Sequence, residues 1–291
     1  MAVAGVALVP NRTGIYAALL MVAAVGAFTT LDSIMKHLSA EHPVLLLVWI
    51  RYLLQVAFFA MLVPVAGVNQ VMRTHCAGLQ VARGLFLAGA SIFVVLSLRH
   101  LTLAQTYAVS FSTPLIATAI AVPMLGERPS LMQWAAILAG FFGIVVALHP
   151  TAGTATAALL LPLAMALSNA TYQVITRLCG RRDGSLSLTF HAGLSGAMWT
   201  TLALPWVLEP LPAASLLWLL VGGLCGSVAQ LAQIHALRLA PMAIVSPIGY
   251  SQILWAIGIG YFAFGEVPGW LTLAGAVIVA ASGIVLIRSR N

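Results

Sequence analysis

Asp32 and Arg51 are the two charges that lie clearly inside long apolar runs of this sequence, and each suits a defined chemistry. A guanidinium presents a planar fork of donors that fits a carboxylate. A carboxylate in hydrocarbon is costly enough to mark a proton relay or an ion path. Asp32 lies about five residues, roughly 7 Å, from the outer end of its predicted helix, and Arg51 about eight, roughly 12 Å, from its own. The depths allow the two to pair across neighbouring helices. Three readings stay open: a substrate-recognition pair with Arg51 addressing a carboxylate, a proton-coupling Asp32, and a structural ion pair or a snorkelling Arg51.

Both charges belong to polar stripes. Thr29, Asp32, Ser33 and Lys36 fall at i, i+3, i+4 and i+7, which is one helical face. Arg51, Gln55, Phe58 and Phe59 make a second stripe. A shift of 140 residues carries the first stripe to Asn169, Tyr172, Gln173 and Thr176 and the second to His191, Ser195, Met198 and Trp199. Ser227, Gln230 and Gln233 form a further polar patch beside Gly222, Gly223 and Gly226, whose small size suits close helix packing. Tyr107, Tyr172, Trp199, Tyr250 and Trp255 offer rings that stack on an aromatic group or hold a cation. Stripes of this kind either line an aqueous cavity or serve as hydrogen-bond glue between helices.

Two spans are unusual at their centres. Ser110-Phe111-Ser112-Thr113-Pro114 matches Gly249-Tyr250-Ser251-Gln252-Ile253, which follows Ser246-Pro247. Proline in a helix frees a carbonyl and kinks the axis, and such backbone is tolerated in hydrocarbon only against protein or cavity water. Pro114 and Pro247 are thus hinge candidates, with static kinks as the alternative. The candidate cavity set is Thr29, Asp32, Arg51, Gln55, Tyr107, Ser112, Asn169, Tyr172, Gln173, His191, Trp199, Gln230, Tyr250, Ser251 and Trp255.

Other chemistries find little footing. Gly193-Leu194-Ser195-Gly196 has the G-x-S-G form of an intramembrane serine protease, but His191 shares the serine's own helix at i−4, where a dyad needs a histidine on another helix. No phosphate-binding loop is present. Cys76, Cys179 and Cys225 are odd in number and unpaired in spacing, against a disulfide framework or zinc site. The 13 Lys+Arg outnumber the 6 Asp+Glu, yet they are scattered rather than gathered into a nucleic-acid patch. No cofactor or metal is expected.

The elements that must hold these residues follow from composition. Of 291 residues, 62% are hydrophobic and 7% charged, with mean hydropathy +1.05. An ordinary soluble domain carries about 25% charged residues, so the chain is read as all-α and integral to a membrane. About 20 apolar residues cross the hydrocarbon, and spans fall near 14–36, 43–65, 78–98, 103–125, 130–149, 155–179, 186–208, 213–236, 242–264 and 268–288. With both termini cytoplasmic, the inner segments hold Arg12, Arg73, Arg128, Arg177, Arg181, Arg182, Arg238, Arg288 and Arg290, against Lys36 and Arg99 outside. That follows the positive-inside rule, and Trp206, Trp218 and Trp270 fall near outer ends, where indoles favour the interface. The first span is read as retained.

A shift of 139 residues aligns Leu98-Arg99, Ala104, Ser112, Leu115, Ala117, Ile120, Gly126-Glu127 and Pro129 with Leu237-Arg238, Ala243, Ser251, Leu254, Ala256, Ile259, Gly265-Glu266 and Pro268. The chain reads as two halves, 1–150 and 151–291, of five helices each. Five is odd, so the halves have opposite orientation, and inverted repeats generate two exchangeable conformations around a midplane site. Glu127 and Glu266, each before a proline, are assigned a structural role at the start of the next helix.

Gly126-Glu127-Arg128-Pro129 and Gly265-Glu266-Val267-Pro268, each followed by a Gly-rich last span, resemble the paired EamA domains of the drug/metabolite transporter superfamily. Within it the chain is most similar to YddG-type bacterial exporters of aromatic and other amino acids, which also handle cationic toxicants. The resemblance implies ten helices, a cavity lined by helices 1–4 and 6–9, and helices 5 and 10 at the periphery. The expectation is an inner-membrane secondary transporter exporting amino acids by alternating access, a monomer or weak homodimer whose partners are a small solute and the bilayer. A passive facilitator or channel for another small metabolite is the alternative, and the residues leave uniport and proton antiport open.

Overall fold

The computed structural model describes residues 12–113, 115–117, 119–120, 131–148, 156–239 and 248–288. Among the described residues every regular element is helical. Helices of eight residues or more are α1 (Arg12–Leu38), α2 (Val44–Ala60), α3 (Ala77–His100), α4 (Leu103–Ser110), α5 (Leu131–Leu148), α6 (Thr156–Cys179), α7 (Ser185–Thr201), α8 (Ala213–Leu239), α9 (Gln252–Phe264) and α10 (Trp270–Arg288). Two short helices, Val63–Ala66 and Val68–Met72, join α2 to α3. By length and composition, Gly14–Leu38, Val44–Ala66, Ala77–His100 and Ala213–Gln233 are long and apolar enough to cross a membrane, with Trp134–Ala147 and Trp270–Val285 as shorter apolar helices. Among the described residues that is fewer than the ten spans expected. α7, at 17 residues, is shorter than a span needs, and α2 of the same length reaches it only with the short helix Val63–Ala66 continuing it.

Local chemistry sets several ends. Thr102 and Gln105 close a reciprocal capping box at the start of α4. That helix stops at Ser110, where Phe111 and Ser112 form a turn, and the equivalent stretch Gly249–Ser251 is a 3-10 turn. The two irregularities touch: Phe111 and Tyr250, related by the 139 shift, meet edge to face at 5.0 Å. Pro114 and Pro247 lie outside the described residues, as does Glu127.

Helix contacts interchange when the halves are exchanged. α1 packs on α8 as α6 packs on α3, α2 on α8 as α7 on α3, and α1 on α9 as α6 on α4. Three contacts map onto themselves: α2 with α7, α4 with α9 and α5 with α10. In the last, a Cβ on Gly140 would lie 3.5 Å from Ser282 and one on Gly143 2.9 Å from Val279. The shift of 139 turns one contact into the other. Contacts of α3 with α1 and α2 have no close counterpart among the described residues of the second half, so the exchange is approximate.

Candidate functional site

Glycines bring α8 between α1 and α2. A Cβ on Gly226 would come within 2.8 Å of Leu31, and one on Gly223 within 2.8 Å of Leu54. The seam leaves a cleft lined by Phe28 and Leu31, by Arg51 and Gln55, and by Gly223, Gly226, Ser227 and Gln230. Its free volume of ≈ 10 Å³ is room for about one water. Arg51 and Gln55 of one sequence stripe and Gln230 of a separate polar patch therefore share one narrow space.

Arg51 is held from behind. Its Nη1 donates to Ser91 Oγ at 3.4 Å, and the guanidinium lies 5.9 Å from the centre of the Tyr52 ring. The Tyr52 hydroxyl is 2.6 Å from Ser91 Oγ and donates to the Leu87 carbonyl at 2.9 Å. Neither Tyr52 nor Ser91 was singled out in the sequence, although Tyr52 directly follows the arginine. Gln55 donates to the Thr189 carbonyl at 3.4 Å, tying α2 to α7.

Asp32 and Arg51 form no ion pair among the described residues, which corrects the pairing their depths suggested. α8 lies against both α1 and α2, and Arg51, turned to Ser91, stays within electrostatic reach of Asp32 without a direct bond to it. Asp32 instead accepts a 2.7 Å hydrogen bond from the Tyr107 hydroxyl of α4. Thr29 and Gln252 lie beside that same hydroxyl, so three helices converge on Asp32.

The remaining candidates are dispersed. Tyr172 lies under the guanidinium of Arg83, 5.4 Å from it. His191 Nδ1 stays on its own helix, 2.9 Å from the Ser187 carbonyl oxygen. Trp199 donates to the Val81 carbonyl at 2.9 Å and ties α7 to α3. Ser112 donates within its own turn to Val109. Trp255 packs against Gly26 of α1. The Tyr250 hydroxyl and Ser251 Oγ are buried without a partner. Asn169 is half-buried, and Gln173 is exposed on α6, away from the cleft. Ser195 is buried against Gly84, and among the described residues no histidine bonds to it, so no catalytic dyad forms.

Arg83 is the main omission of the sequence reading, which singled out Asp32 and Arg51 although Arg83 falls within the expected span 78–98. It is fully buried and donates to the Leu188 carbonyl and, at 3.5 Å, to Thr176 Oγ1, with Nε unpartnered. One turn before it, Gln80 Nε2 donates to Asp183 at 3.0 Å. Asp183, in the α6–α7 loop, also accepts from Thr74 Oγ1 and the His75 backbone, and His75 Nδ1 lies 3.0 Å away. Burial disfavours the Asp183 anion, but these hydrogen bonds outweigh it and hold its pKa down at about 2.

The opposite end is closed by different residues. Lys36 pairs with Glu266 and donates to the Leu101 carbonyl at 3.0 Å, while Glu266 accepts from the Leu103 N–H at 2.9 Å. Arg99 donates to the carbonyls of Ser39 and His42, and His42 contacts Glu209 and Ser215. Glu266 therefore caps the start of α4 and neutralises Lys36 rather than serving the helix that follows it. Gly265, at φ 66, ends α9 in a left-handed turn and directs the chain there. Segments assigned to the outer side meet at this end, and the two assigned inside meet at the Asp183 end.

Comparison with known proteins adds the following. The sequence model of the EamA-like transporter family matches residues 13–148 and 156–288. The chain is 27% identical over 277 residues to a riboflavin transporter of Vibrio cholerae, covering 92% of each chain. It is 27% identical over 185 residues, 63% of each chain, to an S-adenosylmethionine uptake transporter of Rickettsia bellii. A pseudopaline exporter of Pseudomonas aeruginosa is 23% identical over 276 residues, covering 94% of this chain and 96% of that protein. A solved crystal structure at 18% identity has the same fold, with a TM-score of 0.65 over 92% of this chain and 95% of that one.

Proposed function

The chain belongs to the EamA-like transporter family, and from that premise we propose that it is a secondary transporter of amino acids, aromatic ones among them, working by alternating access. The observation that carries this reading is that Asp32 and Arg51 lie within electrostatic reach of each other yet form no direct ion pair, Asp32 bonding to Tyr107 and Arg51 to Ser91. A zwitterion presents the complementary pair of charges. Arg51 addresses its carboxylate from the cleft, and Asp32, oriented by Tyr107, addresses its ammonium group. Tyr107, bonded to Asp32, and Trp255, packed against Gly26 of α1, supply rings for an aromatic side chain. The resemblance to YddG-type exporters points to the same solutes, while relatives named for riboflavin, S-adenosylmethionine and pseudopaline set the wider class of small organic molecules.

The architecture in this reading is two inverted five-helix halves, 1–150 and 151–291, in a bacterial inner membrane with both termini cytoplasmic. The interchange of helix contacts and the Phe111–Tyr250 meeting support it, because inverted repeats place such residues near a pseudo-twofold axis. The full chain in liposomes, assayed with labelled phenylalanine and other amino acids with and without a pH gradient, tests the proposal. Saturable flux is expected, and Arg51→Gln is expected to raise KM tenfold or more. Flux that ignores the gradient selects facilitated uniport. If the gradient drives flux, Asp32→Asn should abolish that drive when Asp32 carries the coupling proton. No uptake or counterflow of any amino acid overturns the substrate assignment.

A further inference from the structure

The connector between α2 and α3 and the loop between α6 and α7 enclose a second cavity, ≈ 260 Å³, at the Asp183 end of the bundle. Its basic lining comes from both segments: Arg73 and His75 from the connector and Arg182 from the loop. The first turn of α7 opens on the same space, and Gly184 leaves that helix end without a side-chain cap. Asp183 also borders the cavity, but its side chain is fully buried and its oxygens are taken by Thr74, His75 and Gln80. The balance of the lining is therefore positive, and both arginines are exposed.

Beside this basic cavity lies an apolar surface. The short helices of the connector expose Val65, Val68 and Met72, and Met61 stands exposed just before them. Asn69, Gln70 and Arg73, which line the cavity, follow Val68 on the same connector. A cationic pocket bordered by exposed apolar side chains at the end of a membrane bundle matches one ligand chemistry: a phosphate diester carrying acyl chains.

We propose that this cavity binds the headgroup of an anionic phospholipid, with its phosphate between Arg73 and Arg182 and its chains along Val65 and Met72. The lipid joins the connector to the α6–α7 loop, the same two segments that Asp183 links through Thr74 and His75. Its binding therefore favours the state in which this end is closed.

The full chain, held in phosphatidylcholine nanodiscs, can be titrated with phosphatidylglycerol while its thermal midpoint is followed, with glycerol phosphate as the chain-free probe. A saturable rise with phosphatidylglycerol is expected, with none from glycerol phosphate at the same concentration. Each arginine near a surface phosphate contributes about fivefold in affinity, so Arg73→Gln with Arg182→Gln should raise the half-saturating lipid about 30-fold. Arg181→Gln, outside the cavity lining, should leave it unchanged. If the double variant folds poorly, Arg73→Lys with Arg182→Lys keeps the charges and should retain most of the rise. An equal loss in Arg181→Gln, or no saturable rise in the parent, overturns the site. An equal rise from glycerol phosphate that the double variant abolishes supports the phosphate contacts and overturns the lipid as occupant.

Discussion

The two ends of the bundle are closed by opposite electrostatic strategies. At one end Lys36 and Glu266 cancel each other, and each also bonds to backbone beside α4, Lys36 at the Leu101 carbonyl and Glu266 at the Leu103 N–H. At the other, a buried carboxylate and a buried guanidinium, Asp183 and Arg83, do not pair directly. Asp183 is solvated by Thr74, His75 and Gln80, and Arg83 by the Leu188 carbonyl, Thr176 and the face of Tyr172. An ion pair fails when either charge is removed. A charge solvated by neutral dipoles fails when the charge goes but tolerates loss of one dipole. The first end thus turns on an ion pair, with the Arg99 and His42 contacts beside it, and the second on a network gathered around one carboxylate.

Removing the centre of the distributed network should have the largest effect. Asp183→Ala removes the acceptor that the Thr74, His75 and Gln80 donors share, leaving Gln80 only its bond to Thr74, at a cost of about 3 kcal/mol. It should also free the connector, so that Cys76, the residue preceding α3, reacts at least tenfold faster with a thiol reagent in membranes. Unchanged Cys76 labelling would show that Asp183 does not hold that end shut. Glu266→Gln keeps the shape and the acceptor for Leu103 but loses the charge facing Lys36. Its cost should be smaller, about 2 kcal/mol by thermal melting, and Cys76 labelling should stay at the parent rate. Acceleration by Glu266→Gln would mean that the two ends do not act separately.

pH separates the ends further. The folded pKa of Asp183, about 2, lies below its unfolded value, so its contribution is complete above about pH 4 and is lost as pH falls from about 4 to about 2. Melting curves across that window should lose this part of their slope in Asp183→Asn. If the slope is the same in the variant, other carboxylates govern acid unfolding.

How much of this was legible in the sequence depends on where each side chain finds its partner. Arg51, Gln55 and Gln230 were readable because large polar groups in apolar runs seek one another or water, and the cleft gathers them. The actual partners of Asp32 and Arg51 were not, because depth along two helices says nothing of the hydroxyls that other helices bring, Tyr107 from α4 and Ser91 from α3. Arg83 carried the same signal as Arg51, a charge within a span with Gln80 one turn away, and was simply not weighed. Asp183, between Arg182 and Gly184, resembles a solvated loop acid in sequence. Only the fold brings Thr74 and Gln80 to it from more than a hundred residues away. The G-E-x-P motif was visible as a repeat, but its work is tertiary, since Glu266 acts on α1 and α4.

That motif supplies the smallest test, and one that bears on the contrast between the ends. Gly265 sits at φ 66, a left-handed conformation, and a Cβ there would meet nothing within 4 Å. The cost of Gly265→Ala is therefore conformational alone, about 1 kcal/mol. Gly265→Asn should cost less, because Asn tolerates that region. Gly184 provides the comparison at the other end: its φ of −73 is open to any residue and it too has free space around it, so Gly184→Ala should cost only the weaker N-cap of α7, about 0.5 kcal/mol. If the glycine serves to aim Glu266, then Gly265→Ala and Glu266→Gln should fall short of additive in a double-mutant cycle. Full additivity would mean that the turn and the ion pair are independent, and that the first end does not depend on how its carboxylate is delivered.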